Sequence, residues 1–179
     1  MEFQELILQR QSDRKYSSKP VEKEKILKCI ESARLSPSAC NAQPWTFVVV
    51  DDEGKRLEVE NAIATLGMNG FALQAPIVIA IVLEKPNLSS KIGSVIKDKE
   101  YTLMDIGIAT NQFCLQASEI GLGTCIIGWF NEKKVKKVLN VPKNKRVPVL
   151  ILLGYSESQQ RQKIRKPIQE MCKFNSYKE

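Results

Sequence analysis

Apolar residues change spacing several times along the chain, and each change marks an element. Phe3, Leu6 and Ile7 share one face at helical spacing and predict a short first helix ending near Arg10. Ser17-Ser18-Lys19-Pro20 is a break, with proline suited to helix entry. Ile26, Leu27, Ile30 and Ala33 predict a second helix over residues 22–35. Thr46 to Val50 is a β-branched strand, closed by the acidic turn Asp51-Asp52-Glu53-Gly54, and a third helix follows over residues 55–65. Pro76 introduces Ile77 to Leu83, an unbroken apolar run that predicts a strand covered on both faces. Residues 84–100 are polar and lysine-rich, a surface excursion that either lids a cleft or decorates the exterior. The longest helix is predicted over residues 101–120. Its Leu103, Ile106, Ile108, Phe113, Leu115 and Ile120 occupy most sides, which predicts burial all round.

Gly121 and Gly123 suit the end of that helix. Thr124 to Ile127 reads as a short strand or extended loop, Asn131 as the cap of a small helix through Val135, Val138 and Leu139, and Val147 to Gly154 as the last strand. Alternating helices and strands predict a central sheet clothed by helices. At 179 residues the chain is expected to form one domain, 1–179, with residues 155–179 as a polar extension. That extension ends in Met171, Cys172, Phe174 and Tyr177, an apolar cluster that needs a cover on its own domain or on a second subunit.

Composition narrows the functions available. The chain is 43% hydrophobic and 26% charged, as ordinary globular proteins are. No apolar run approaches the ~20 residues of a membrane span, and the acidic, amphipathic Met1 to Glu5 is unlike a secretory signal, so a cytoplasmic protein is expected. Five cysteines at wide spacings form no C-x-x-C pair, which argues for small buried residues rather than a metal or disulfide framework. Histidine is absent, which removes imidazole-based triads and imidazole metal sites. A bound organic cofactor is then the natural carrier of any chemistry, with no catalytic side chain and no metal required. Charge is uneven: residues 1–132 carry 14 cationic against 17 acidic side chains, and residues 133–179 carry 13 against 3. Anions are drawn to the C-terminal quarter.

Three constellations are suited to such a ligand. Arg10, Ser12 and Arg14 alternate, so an extended segment would turn two guanidiniums and a hydroxyl toward one anion; a solvated helix end is the other reading. Lys163 and Arg165 alternate in the same way around Ile164, which otherwise reads as a charge run on a tail. In Gly121-Leu122-Gly123-Thr124-Cys125-Ile126-Ile127-Gly128-Trp129 a helix stop accounts for the first two glycines, whereas Gly128 gains nothing from a strand and allows a ligand close to the backbone. Neither a P-loop nor a G-x-G-x-x-G pattern occurs.

Arg10-Gln11-Ser12-Asp13-Arg14 and Ser36-Pro37-Ser38-Ala39-Cys40-Asn41-Ala42-Gln43-Pro44-Trp45, followed in order by Ala75-Pro76, Asp105-Ile106-Gly107, Gly121 to Thr124 and Lys163-Ile164-Arg165, resemble the nitroreductase family. The resemblance implies an α+β sandwich with a mostly antiparallel central sheet, and a homodimer with FMN at its interface and a C-terminal tail reaching the partner. It implies that Arg10, Ser12, Lys163 and Arg165 hold the FMN phosphate and ribityl chain. Gln11 is in the same cofactor set, where relatives often carry a basic residue. It further implies Arg14 near the pyrimidine, Pro37, Ser38, Ala39 and Asn41 supplied by the partner, Asn69 as a polar contact, and the backbone of Ile127, Gly128 and Trp129 facing the ring.

The expected activity is hydride transfer from NADH or NADPH through FMN to an electrophilic small molecule such as a nitroaromatic or quinone. A non-catalytic FMN-binding or FMN-delivering protein would use the same residues. A basic nucleic-acid or membrane-surface module would use the cationic C-terminal quarter instead; the scarcity of aromatics near its lysines counts against it. No nucleic acid and no membrane is therefore expected among the partners.

Overall fold

The computed structural model describes residues 2–65, 68–85 and 100–177. Most of the 84–100 excursion, and the question of whether it lids a cleft, lies outside these residues.

Four strands form one antiparallel sheet: β1 (Trp45–Val50), β2 (Ile77–Leu83), β3 (Gly123–Ile127) and β4 (Arg146–Gly154), in the order β1-β2-β4-β3. Register runs Val48 opposite Ala80, Ala80 opposite Leu150, and Cys125 opposite Leu152. Successive side chains of a strand point to opposite faces, and β2 puts this to full use. Val78, Ala80 and Val82 join one apolar cluster with Val59, Ile63, Val135 and Leu150; Ile77, Ile79 and Ile81 join the other with Ile26, Ile106, Phe113 and Ile151. The predicted two-sided burial of β2 is observed, because it and β4 are the inner strands.

The first face is covered by α3 (Glu53–Ile63) and α5 (Glu132–Val138), the second by α2 (Lys23–Arg34) and α4 (Tyr101–Glu119). A short α1 (Phe3–Gln9) lies against α4, and a single turn, α6 (Ile168–Met171), interrupts the tail. Caps fall where side chains supply them: Asp52 accepts from Lys55 N and Asn131 from Lys134 N. Pro20 lies three residues before α2, whose N-cap is Glu22. Val59, Glu60, Ala62 and Ile63 pack inward from α3. Glu60 is fully enclosed, with one carboxylate oxygen 2.8 Å from Arg56 Nη1; burial, opposed by Arg56, raises its pKa.

One expectation needs correction. The pattern of α4 predicted burial all round, yet Met104 and Ile108 are exposed, and so is Phe3 on α1. Helical periodicity reports that a face is apolar, not that the same chain covers it. The expectation that most cysteines lie inside is met: Cys29, Cys114 and Cys125 are buried, with burial pushing Cys29 up to about 12 and Cys114 up to about 11. Cys40 and Cys172 are exposed, because each sits on a loop or tail rather than in a layer.

Candidate functional site

Residues 11–16 run along the outer edge of β3 as a short extended strap. Ser12 pairs with Thr124 in parallel fashion and Tyr16 with Ser156 in antiparallel fashion. Alternation then sorts the side chains. Asp13 turns inward, where its carboxylate accepts from Ser156 Oγ at 2.6 Å, Gln11 Nε2 at 3.1 Å and Thr124 N at 3.2 Å. Its backbone N–H reaches Thr124 O at 2.8 Å. Tyr16 donates to Asp13 O at 2.9 Å, and burial raises its pKa far above the ordinary phenol range, so it remains a donor. Gly123 makes room for this lock: a Cβ there would lie 2.6 Å from Ser156 Cβ and 2.7 Å from Asp13 Oδ2.

The tail follows the strap in the opposite sense. Glu157 N donates to Lys15 O, Ser158 Oγ accepts from the N–H groups of Arg14 and Lys15, and Gln160 Nε2 donates to Leu8 O. Gln11 clasps the tail with both ends of its amide, Nε2 donating to Gln159 O and Oε1 accepting from Arg161 N, each at 3.1 Å. Arg161 Nη2 then donates to Ser12 O at 2.5 Å, and Lys163 Nζ donates to Arg10 O. These bonds bring residues about 150 positions apart into one cleft of about 380 Å³, lined by Arg10, Ser12, Arg14, Arg161, Lys163 and Arg165 among others. Burial together with the neighbouring Arg10, Arg165 and Arg161 lowers the pKa of Lys163. Five cations held this closely repel one another, and a dianion relieves that repulsion.

Beyond the cations, the cleft meets flatter ground. Arg14 stands over the Phe71 ring, 5.5 Å from its centroid, and Ser12 and Arg14 both lie against the Cys125 thiol. Asn69 adopts a left-handed conformation, φ 58°, and donates to Trp129 O at 3.4 Å. Gly128 is exposed with open space before its Cα, whereas the Ile127 side chain is committed to the core. The glycine reading therefore divides. Gly121, at φ 78°, ends α4, but Gly123 belongs to β3 and is needed for close approach.

Residues 37–43 form a separate element ahead of β1. Cys40, Asn41 and Gln43 all have left-handed φ, near 50°, a conformation that costs of order 1–3 kcal/mol for each non-glycine residue. Side chains offset the cost: Gln43 N donates to Ser38 Oγ at 3.0 Å, Gln43 Nε2 to Asn41 Oδ1 at 3.2 Å, and Ala39 N to both oxygens of Asp105 on α4 at 3.1 and 3.2 Å. This loop does not join the cationic cleft of its own chain. Ala39 is anchored at Asp105 and Gln9 at Ser118, and thirteen residues of one helix separate those anchors by about 20 Å.

Asp13, Arg161, Phe71 and Asp105 are the site-building residues that inspection of candidate chemistry passed over. Arg161 lies two residues before Lys163 and continues the same alternation, which was the available signal. Among the described residues no cluster of metal-ligating side chains occurs, and no helix is long and apolar enough to cross a membrane.

The nitroreductase family profile matches residues 7–66 and 54–155, a span that contains the strap, the 37–43 loop and the whole sheet. The chain belongs to the nitroreductase family. An oxygen-insensitive NADPH nitroreductase of Helicobacter acinonychis is 30% identical over 187 residues, covering 87% of this chain and 86% of that protein. A nitroreductase family protein of Clostridium novyi NT, 35% identical, superposes with a TM-score of 0.78 over 88% of this chain and 86% of that one. An FMN-dependent nitroreductase of Clostridium difficile R20291, 29% identical, gives 0.81 over 96% and 98%. In the nitroreductase fold seen here, the antiparallel α+β sheet supplies one edge for the strap and the opposite edge for the loop.

Proposed function

We propose that the protein is an FMN-dependent NAD(P)H oxidoreductase acting as a homodimer, with each cofactor held between the cationic cleft of one subunit and residues 37–41 of the other. The observation that carries this reading is the convergence of Arg10, Arg14, Arg161, Lys163 and Arg165, from both ends of the chain, on one cleft. Their charge and the depressed Lys163 fit a phosphate dianion. Bound FMN supplies two-electron chemistry, accepting hydride from NADH or NADPH and yielding it to a nitroaromatic or quinone. The residues of the chain bind and orient. Arg10, Ser12, Arg161, Lys163 and Arg165 take the phosphate end, with Gln11 bracing the tail that carries three of them. Arg14, beside Phe71, is assigned to the pyrimidine end, where a cation stabilises the charge that accumulates on reduction. Asn69 and the open backbone at Gly128 border the ring. The names of the Helicobacter and C. difficile relatives support both donor and cofactor.

The partner's share follows from what one subunit leaves unfinished. The 37–43 loop is built at some cost but stands away from its own cleft. Ile164, Phe174 and Tyr177 are 89%, 84% and 88% exposed, so the tail's apolar residues have no cover on this domain. Residues 1–179 then form one cofactor-binding domain whose 155–179 extension reaches the second subunit.

The purified protein is expected to carry a flavin band near one equivalent per chain, bleached within the mixing time of a stopped-flow experiment by NADH or NADPH and restored by a nitroaromatic or quinone. Flavin that binds but bleaches only over minutes would instead identify a carrier, and a colourless protein that reconstitution leaves empty would reject the reading.

A pH effect accompanies it. Lys163 must be protonated to hold phosphate, and its pKa in the free protein lies below the ordinary lysine value. FMN binding therefore takes up a proton at alkaline pH, and affinity falls as pH rises through the free-protein pKa of Lys163. Titrations between pH 7 and 10.5 should show this loss, and Lys163→Met should remove it while weakening binding throughout.

A further inference from the structure

We infer that Asp105 is a positioning residue for the cofactor site of the opposite subunit. The inference rests on the dimeric FMN reading above. Asp105 lies within the second turn of α4, only 4% exposed, and both carboxylate oxygens are within hydrogen-bond distance of a single donor, Ala39 N. A charged, enclosed carboxylate is a demanding group to place beneath a surface loop unless that loop must keep one shape. The loop it holds contains three non-glycine residues at left-handed φ, braced from within by the bonds of Gln43 to Ser38 and Asn41. Asp105 ties the residue just ahead of that left-handed stretch to the helix behind it. It faces Ala39 rather than the cationic cleft, whose anchor on the same helix is at Ser118. Its effect therefore falls on whichever site the loop enters. On one protomer that is no cofactor site at all.

This arrangement predicts complementation in trans. In Asp105→Ala homodimers both sites receive a loosened loop, and FMN is expected to bind at least about tenfold more weakly, the consequence of losing one charge-assisted hydrogen bond. In Arg10→Ala homodimers both cationic clefts are damaged. A heterodimer of the two, isolated through different affinity tags after co-expression, pairs the intact cleft of the Asp105→Ala chain with the intact loop of the Arg10→Ala chain. It should hold one FMN per dimer at wild-type affinity, with the second site weak.

Ala39→Pro removes the donor while leaving the carboxylate in place. Ser38 before it is extended, at φ −146° and ψ 152°, as a residue preceding proline should be. This variant should reproduce both the weakening and the rescue, and it carries the test should Asp105→Ala not fold. Asp105→Asn, which keeps one acceptor oxygen, should bind FMN close to wild type.

Wild-type affinity in both Asp105→Ala and Ala39→Pro homodimers would overturn the inference. So would heterodimers with no tight site, since a purely structural role gives no rescue by the partner. Wild-type protein that binds no FMN, or binds it as a monomer, would instead reject the reading on which the inference rests.

Discussion

Alanine at both Arg10 and Arg165 should yield a folded, colourless protein. Neither side chain supports the core: among the described residues Arg165, which is exposed, donates only to the adjacent Ile164 O, and Arg10 lies partly buried at the end of α1. Both line the cleft shared by the strap and tail. A hydrogen bond to a charged group contributes roughly 1.5–3 kcal/mol, so losing two weakens FMN binding by roughly 3–6 kcal/mol, or about two to four orders of magnitude in Kd. The thermal midpoint without cofactor should stay unchanged or rise slightly, since two of five mutually repelling cations are gone. Riboflavin, which lacks the phosphate, provides the internal control: its affinity should be nearly equal in wild type and variant. Flavin fluorescence titration measures all of these. An FMN Kd within threefold of wild type would remove the phosphate assignment for Arg10 and Arg165.

What the amino-acid pattern could disclose followed the range of the interactions behind it. The burial of β2 was legible because seven successive apolar residues can only suit a strand covered twice. The cap at Asn131 was legible because capping is settled within four residues. Alternation at Arg10, Ser12 and Arg14 correctly indicated a common direction, because an extended strap obeys a local rule. Asp13 lay between them, quoted in the family run but given no role of its own. Its partners Thr124 and Ser156 are more than a hundred residues away, and no local spacing announces such bonds. Arg161 extends the alternation of Lys163 and Arg165 and was available from spacing, although its bond to Ser12 O was not. Gly123 was credited with stopping a helix when its role is to admit a carboxylate and a serine. Ile108 shows the complementary limit: its place in an apolar helical pattern did not make it buried, because among the described residues no layer of this subunit lies over that face. The order of family motifs filled much of this gap, because it draws on relatives in which the distant contacts had already been made.

Gly123→Ala should destabilise the fold and weaken FMN binding together, the larger of two glycine effects on neighbouring strands. The added Cβ would stand 2.6 Å from Ser156 Cβ, next to the backbone, and 2.7 Å from Asp13 Oδ2, whose carboxylate is held by three hydrogen bonds. Overpacking of this kind costs about 1–3 kcal/mol. Pushing Asp13 away also strips the buried Thr124 N of its side-chain partner, at roughly 1–3 kcal/mol for a buried group left unsatisfied. The combined loss, about 2–6 kcal/mol, is a large share of the 5–15 kcal/mol typical of a domain, and corresponds to a fall in Tm on the order of 10 °C. Because Asp13 anchors the strap that carries Arg10, Ser12 and Arg14, the surviving folded protein should also bind FMN poorly. Gly154, opposite Gly123 in the register, makes the comparison informative. A Cβ there meets Pro76 Cδ at 2.6 Å and Tyr16 Cδ1 at 3.0 Å, so it presses on the strap only through the Tyr16 ring and touches neither the Asp13 carboxylate nor the cationic cleft. Gly154→Ala should lower Tm comparably, yet retain FMN affinity at temperatures where it remains folded. Equal losses of affinity in the two variants would mean that cofactor binding follows general stability, and the Asp13 lock would then have no separate part in holding the cations in place.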